Sequence, residues 1–251
     1  TMDQWKGKVA IVTGASAGIG AAIAQALVHR GMVVVGLARR QEKMQELADQ
    51  LIQANKPGKL YPVKCDLKEE EDILAAFDWI EKELGGADVL VNNAGTAGLN
   101  TIQGGVTEQW RSMFQLNLLA VCICTREYLK SMDKRKNQQG HIFVINSITG
   151  HEILGGSYGV YSSTKYAVKA VTQCLRRELA EKNSSIKVTS ISPGLTGTEM
   201  TEHILEDLGE GTGWLESSDV AQALVDVLSS SPIAQICEVI MTPVPSNRFV
   251  F

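Results

Sequence analysis

The chain has 251 residues, of which 44% are hydrophobic and 21% are charged, a balance typical of a globular protein with a sizeable core. Lys and Arg total 24 against 28 for Asp and Glu, so the net charge of −4 gives no basic footprint for nucleic acid. The longest apolar run, Leu118–Cys124, is far shorter than the roughly 18 residues that a membrane-spanning helix needs. Residues 1–8 lack the apolar segment of a signal peptide. We therefore expect a cytoplasmic protein with no nucleic-acid partner and no membrane contact.

The five cysteines are odd in number and mostly embedded in apolar runs, and the four histidines are scattered. This pattern is typical of reduced thiols in a cytosolic protein rather than of a disulfide framework. No Cys/His spacing resembles a zinc site, so we predict no metal.

Short β-rich runs alternate with longer helical stretches from one end of the chain to the other. The predicted strands are Val9–Thr13, Met32–Ala38, Leu60–Lys64, Asp88–Asn92, His141–Ser147, Lys187–Ser192 and Cys237–Met241. The predicted helices are Gly18–Arg30, Gln41–Ala54, Glu69–Leu84, one or two helices within Thr107–Lys130, Ser157–Lys182 and Ser217–Ser229. Several strands are apolar nearly throughout, as strands buried on both faces are. The alternation predicts an α/β fold, with a doubly wound parallel sheet covered by helices on both faces.

The chain contains no repeat, no low-complexity segment and no linker, so we predict one domain over residues 1–251. We expect two parts within this domain, residues 7–150, approximately, and residues 151–251. The one long irregular stretch, Pro193–Glu216, is rich in Gly and Thr, and a loop of that length is usually a functional lid.

A glycine-rich turn follows the first predicted strand, with Gly14, Gly18 and Gly20 in the order G-x-x-x-G-x-G. Glycines at such a place let the backbone approach a pyrophosphate, whose charge then lies at the positive end of the next helix. A plain tight turn has a similar sequence. The position at the first strand-to-helix junction favours dinucleotide binding.

A second group of polar residues lies at or near the ends of later predicted strands. Tyr161 and Lys165 are four apart and share one helix face, although an exposed pair on a helix surface has the same spacing. Ser147 ends the fifth strand, where ligands of an open parallel sheet bind. Asn117 interrupts an apolar stretch, where a polar amide must find hydrogen-bond partners. It is either a site residue or a structural amide that bends the helix.

Together these residues resemble the short-chain dehydrogenase/reductase family over essentially the whole chain, and within it the branch of NADP(H)-dependent carbonyl reductases and farnesol dehydrogenase-like enzymes. The matching motifs, in order, are Thr13–Gly20, Asp66, Asn92–Gly95, Asn117, Ser147, Tyr161 with Lys165, and Pro193-Gly194. The resemblance implies a Rossmann-type sheet and hydride transfer between NADP(H) and an alcohol or carbonyl compound. One position departs from the family pattern, because Thr196 stands where Val is usual.

The resemblance implies that residues 7–150, approximately, form the dinucleotide-binding part and residues 151–251 the catalytic and substrate-lid part. It also implies roles for individual residues. The implied catalytic residues are Asn117, Ser147, Tyr161 and Lys165. The implied cofactor-binding residues are Gly14, Ser16, Gly18, Ile19, Gly20, Arg39, Arg40, Asp66, Leu67, Asn93, Ala94, Gly95, Tyr161, Lys165, Pro193, Gly194, Thr196 and Thr198. A phenol is a poor base at neutral pH, and a nearby ammonium lowers its pKa. Lys165 therefore has a physical reason to lie one helical turn from Tyr161.

The end of the second strand predicts NADP(H) rather than NAD(H). NAD-specific enzymes place a carboxylate there, against the ribose hydroxyls, whereas by resemblance this place holds the uncharged Ala38. Arg39 and Arg40 follow, and a guanidinium suits a phosphate; we expect Arg39 to contribute most and Arg40 to be secondary. The alternative is that both arginines lie at the solvent-exposed start of a helix and pair with Glu42 or Glu46.

The lid and the loop after the fourth strand carry apolar side chains and no Arg or Lys, which favours an apolar alcohol or carbonyl substrate such as an isoprenoid or a steroid. The residues expected at this pocket are Leu99, Ile102, Ile153, Leu154, Leu195, Met200, Ile204, Leu205 and Trp214. A catalytically weak NADP(H)-binding redox sensor of the same fold is the alternative function.

We also expect a homodimer or homotetramer. The predicted helices Thr107–Lys130 and Ser157–Lys182 carry apolar residues on more than one face, and in the family such helices pair across a two-fold axis. The residues that suggest this are Leu118, Val121, Ile123, Ala167, Val171 and Leu175. The apolar tail Asn247–Phe251 is expected to dock on its own or the partner's pocket.

Overall fold

Seven parallel strands form one sheet in a computed structural model that describes residues 1–98, 101–202, 205 and 213–245. The strands are β1 (Val9–Thr13), β2 (Val33–Ala38), β3 (Lys59–Lys64), β4 (Val89–Asn92), β5 (His141–Ile145), β6 (Lys187–Pro193) and β7 (Glu238–Met241). Their spatial order is β3-β2-β1-β4-β5-β6-β7. The predicted α/β fold with a parallel sheet is confirmed.

Helices cover both faces of this sheet. The described α-helices are α1 (Gly18–His29), α2 (Gln41–Gln53), α3 (Glu70–Leu84), α4 (Thr107–Phe114), α5 (Ala120–Lys134), α6 (Gly159–Glu181) and α7 (Ser217–Leu228). Helices α1, α2 and α7 pack on one hydrophobic core, and α3, α5 and α6 pack on the other. Alternate residues of β1 enter the two cores, Ala10 one and Ile11 the other, which explains why this strand is apolar throughout.

The order of the strands creates the place for a site. The chain builds β1, β2 and β3 outward in one direction and then crosses back to place β4 on the other side of β1. The loops that leave β1 and β4 therefore diverge, and a crevice opens between them at the carboxyl ends of the strands.

The structure differs from the predicted elements in two places that affect the site. The segment predicted as one or two helices contains a π-helical turn, Gln115–Leu119, between α4 and α5. Strand β5 ends at Ile145, two residues before Ser147, and Ser147 instead begins the 3-10 turn Ile148–Gly150.

The predictions for the apolar pocket, the lid and the C-terminal tail fall partly or wholly on residues that the structure does not describe. Leu99, Ile204, most of the second half of the predicted lid and the tail Asn247–Phe251 lie outside the described residues. Within the described part of the chain, no helix has the length and apolar character to cross a membrane. None of the five cysteines is paired in a disulfide.

Candidate active site

A single cleft of about 330 Å³ collects nearly all the predicted site residues, and its volume is in the range of small-molecule pockets. Asn117 is the exception among them and does not line this cleft. The predicted residues that do line it are Gly14, Ser16, Gly18, Ile19, Gly20, Arg39, Arg40, Asp66, Leu67, Asn93, Ala94, Gly95, Ser147, Tyr161, Lys165, Pro193, Gly194, Thr196 and Thr198.

The glycine turn after β1 has no room for side chains. A Cβ on Gly20 would lie 2.2 Å from the Gly14 carbonyl oxygen, and Gly14 has φ +70°, which disfavours other residues. Helix α1 begins at Gly18, and no side chain caps its first amides. Free amides at a helix start attract an anion, so this cradle fits the pyrophosphate of a dinucleotide.

A hydrogen-bond network ties the glycine turn to the loop after β4. Thr13 Oγ1 accepts hydrogen bonds from the backbone amides of Asn93 and Ala94, both at 3.0 Å. In return, Asn93 Nδ2 donates to the Thr13 carbonyl at 2.9 Å. Thr13 opens the predicted glycine motif, but its hydroxyl was not predicted to join the two loops. A hydroxyl at the end of an apolar strand is the sequence feature that could have indicated this role. The two loops at the crossover are therefore held as one unit.

The cations at the end of β2 lie where an adenine ribose would be expected. Arg40 Nη1 is 2.9 Å from Glu199 Oε2, and Lys43 Nζ is 2.7 Å from Glu199 Oε1. Arg40 also donates to Ser16 Oγ in the glycine turn at 3.4 Å. Arg40 thus pairs with Glu199 rather than with Glu42 or Glu46, the partners considered from the sequence. Arg39 is exposed and forms no ion pair with any residue that the structure describes.

Tyr161 and Lys165 lie one turn apart on α6, near the end of β5. Lys165 is buried, its Nζ lies 5.8 Å from the centre of the Tyr161 ring, and it donates to the Ile145 carbonyl at 3.1 Å. Burial lowers the pKa of Lys165 to about 8, because the apolar surroundings disfavour the ammonium.

The hydroxyl of Tyr161 has two other hydroxyls in its surroundings. Burial raises the pKa of Tyr161, and hydrogen bonds with the side chains of Ser147 and Thr149 oppose this increase. From the sequence, Lys165 was expected to lower the pKa of Tyr161. Thr149 was not predicted as a site residue, because nothing in its spacing marks it. Ser147, Tyr161 and Lys165 therefore line one end of the cleft, and Thr149 lies next to Ser147.

Asn117 lies in the π-helical turn, behind the cleft. Its Oδ1 accepts from the Thr96 amide at 2.8 Å, and its Nδ2 donates to the Thr96 carbonyl at 2.9 Å and to Thr164 Oγ1 at 3.0 Å. Thr164 stands immediately before Lys165 on α6. The side chain of Asn117 thus joins the loop after β4 to the helix that carries the tyrosine and the lysine.

The segment after β6 closes the cleft on its other side. Thr196 is buried, and its hydroxyl donates to the Gly194 carbonyl at 3.0 Å, so the protein accommodates the hydroxyl in place of the usual Val. Thr198 Cγ2 would lie 3.1 Å from a Cβ on Gly18, which shows how closely this segment approaches the glycine turn.

One buried polar side chain in the cleft wall has no partner. Asn146 is 3% exposed, and neither its Oδ1 nor its Nδ2 has a hydrogen bond among the described residues. Buried amides are rarely left unpaired, so Asn146 is an exception among the polar residues of the cleft wall. No cluster of three His, Cys, Asp or Glu side chains in the described part of the chain could hold a metal ion.

The predicted apolar pocket is only partly represented in the cleft wall. Of its members that the structure describes, Met200 lines the cleft. Ile102 and Ile153 are more than half exposed, at 66% and 61%, and Trp214 packs beside Gly197 with its Nε1 donating to Glu216. Leu116, which the sequence analysis did not single out, also lines the cleft.

Comparison with known proteins shows which family the chain resembles over most of its length. The family model described as short chain dehydrogenase matches residues 8–209. The chain is 45% identical to the dehydrogenase/reductase SDR family member 11 of Gallus gallus, over 96% of this chain and 98% of that protein. It is also 45% identical to the farnesol dehydrogenase of Aedes aegypti, over 97% of this chain and 98% of that protein.

A solved structure shows the same architecture with a dinucleotide. The closed form of serine dehydrogenase complexed with NADP+ superposes with a TM-score of 0.84 and 31% sequence identity, over 94% of this chain and 95% of that one. The chain belongs to the short-chain dehydrogenase family and is an oxidoreductase.

Proposed function

We propose that the protein transfers a hydride between NADP(H) and an apolar alcohol or the corresponding ketone or aldehyde. The observation that carries this proposal is that Ser147, Tyr161 and Lys165 line the same cleft as the glycine cradle, with Lys165 Nζ 5.8 Å from the centre of the Tyr161 ring. The 45% identity to a farnesol dehydrogenase supports an alcohol as the substrate class.

The nicotinamide, when bound, supplies or accepts the hydride. In this proposal Tyr161 donates a proton to the carbonyl oxygen during reduction and removes the hydroxyl proton during oxidation. Ser147 donates a hydrogen bond to the same oxygen, and Lys165 stabilises the phenolate of Tyr161. Asn117 is hydrogen-bonded to Thr164 on α6, the helix that carries Tyr161 and Lys165.

The distribution of charge supports an apolar substrate. The other cations of the cleft, Arg39, Arg40 and Lys68, follow β2 and β3, whereas the catalytic hydroxyls follow β5 on the far side of β1 and β4. Apart from Lys165, a carboxylate or phosphate substrate would find no cation at the catalytic end of the described cleft. Leu116 and Met200 supply apolar surface to its wall.

Turnover of isoprenoid alcohols, steroids, small aliphatic alcohols and sugars, each with NADP+ and with NAD+, tests this proposal. We expect the isoprenoid or steroid class to have the highest kcat/KM. Higher kcat/KM with sugars would contradict the substrate class. Tight cofactor binding without turnover of any class would favour a redox sensor over an enzyme.

We expect Tyr161→Phe to lower kcat at least a thousandfold, roughly the upper part of the range for general acid–base catalysis, because it removes the transferred proton. Cofactor affinity, measured by quenching of protein fluorescence, should change less than about twofold. Substantial residual turnover in the purified variant would contradict this role for Tyr161.

Lys165→Met is the matched comparison on the same helix. It removes both the cation near the phenol and a polar contact in the cofactor cleft, so kcat and cofactor affinity should fall together. A variant with unchanged cofactor affinity would show that Lys165 acts on Tyr161 alone.

The case for NADP(H) is the absence of a carboxylate at Ala38 together with the cations Arg39, Arg40 and Lys43. The serine dehydrogenase that this chain resembles in structure binds NADP+, which supports the same choice. We expect Ala38→Asp combined with Arg39→Leu to reverse the preference, because it adds repulsion and removes attraction. The ratio of kcat/KM for the two cofactors measures this. A double variant that kept its NADP(H) preference would contradict the assignment.

Glu199 opposes the binding of a 2′-phosphate, because its carboxylate occupies Arg40 and Lys43. Hydrogen bonds from Lys43 and Arg40 lower the pKa of Glu199, so the carboxylate is charged at neutral pH. We expect Glu199→Gln to tighten NADP(H) binding several-fold and to leave NAD(H) binding unchanged. Glu70→Gln, which breaks a similarly exposed ion pair with Arg126, is the control. Equal changes for both cofactors would contradict competition at the phosphate.

We further propose a homo-oligomer, on evidence different from that in the sequence. Val121, Ile123 and Leu175 are buried in the core of the monomer, so they do not form a partner surface. Phe114, Leu119 and Tyr166, in contrast, are 42%, 52% and 40% exposed on α4, the π-helical turn and α6. These large apolar side chains favour burial against a second copy. Sedimentation at micromolar concentration should show a dimer or tetramer, and a monomer would contradict the proposal.

A further inference from the structure

Thr149 lies beside the catalytic hydroxyls without belonging to the motifs that identified them. It is 4% exposed and occupies the middle of the 3-10 turn that Ser147 begins. Its backbone amide donates to Ser147 Oγ at 3.2 Å, and its own Oγ1 donates to the same oxygen at 3.0 Å. Thr149 therefore contacts Ser147 through two independent donors.

These two bonds determine what Ser147 can still do. A serine hydroxyl has one proton and two lone pairs. Thr149 occupies both lone pairs of Ser147 Oγ, so the proton of Ser147 is the part of the group that remains for another partner. In the cleft, that partner is either the Tyr161 hydroxyl or a substrate oxygen.

Thr149 also reaches the hydroxyl that gives or takes the proton. The side chains of Ser147 and Thr149 both lie close enough to the Tyr161 hydroxyl to lower its pKa. With its proton directed to Ser147, the Thr149 hydroxyl offers its lone pairs to the neutral phenol. When the hydroxyl rotates to donate to the phenolate, the Thr149 amide still donates to Ser147 Oγ at 3.2 Å. One rotating hydroxyl can thus match both protonation states of Tyr161.

We propose that Thr149 is a positioning residue of the hydride-transfer site: it turns the Ser147 proton toward the reacting oxygen and holds the Tyr161 hydroxyl in line with it. This inference rests on the proposed function. It goes beyond that proposal in assigning the orientation of Ser147 to a residue outside the four predicted catalytic positions.

Thr149→Val tests the inference, because it keeps the shape and the backbone amide and removes the hydroxyl. We expect kcat to fall roughly 10- to 100-fold, the range for one hydrogen bond to a charged group, while KM stays within about threefold. The loss of a donor to the phenolate should raise the pKa of Tyr161, so the pH profile of alcohol oxidation should move to higher pH. Thr149→Ser should restore most of kcat and the original profile.

Titration of Tyr161 in the full chain gives a second measurement that needs no substrate. Ultraviolet titration of each protein, with Tyr161→Phe as the reference for the other tyrosines, reports the pKa of this phenol. We expect a higher pKa in Thr149→Val than in the wild type. Thr172→Val is the control, because Thr172 is equally buried on α6 but its hydroxyl bonds the Val168 carbonyl.

Two results would overturn the inference. One is a Thr149→Val variant with unchanged kcat, pH profile and phenol titration; the other is a Thr149→Ser variant that loses as much as Thr149→Val, which would show a purely structural role. Should Thr149→Val fail to fold, Thr149→Cys offers the same comparison, since a thiol is only a weak donor. A wild type without alcohol turnover would contradict the proposed function, and the phenol titration would still test Thr149.

Discussion

The burial of a parallel sheet on both faces is the constraint on which the rest of this structure depends. Strands such as β1 and β5 are buried along their whole length, so their side chains offer no polar surface to a ligand. Polar chemistry is therefore placed where the strands end. The cleft follows from this, since the residues that line it come from the segments after β1, β2, β3, β4, β5 and β6 and from α6.

Hydrogen bonds then separate the polar groups that support the cleft from those that face a ligand. Thr13 and Asn117 have their hydrogen-bonding groups occupied within the protein, and they join neighbouring loops. Asn146 has both amide atoms unpaired, and the first amides of α1 have no side-chain cap. Asn146 belongs to the cleft wall, and the uncapped amides lie at the glycine end of the cleft, where the pyrophosphate of a dinucleotide fits.

Much of this arrangement could be predicted from the sequence because its signals are local. The spacing of Gly14, Gly18 and Gly20, and of Tyr161 and Lys165, reflects the geometry of one turn and one helix. The remainder depends on contacts between distant segments. Nothing in the sequence near Arg40 shows that Glu199 is its partner, because 158 residues separate them. Apolar periodicity likewise could not tell the buried Val121 from the exposed Leu119, since both lie in one apolar run.

The π-helical turn has a consequence for how this chain can vary in length. The amide of Ala120 donates to the carbonyl of Gln115, five residues earlier, so the turn holds one residue more than a regular α-helix would. Removing that residue would convert α4, the turn and α5 into one regular helix and rotate one part against the other by about 100°. Asn117 would then lose its alignment with Thr96 and Thr164. The site is therefore more sensitive to a deletion at this turn than to most substitutions there, and the extra residue itself is a part of the active-site architecture.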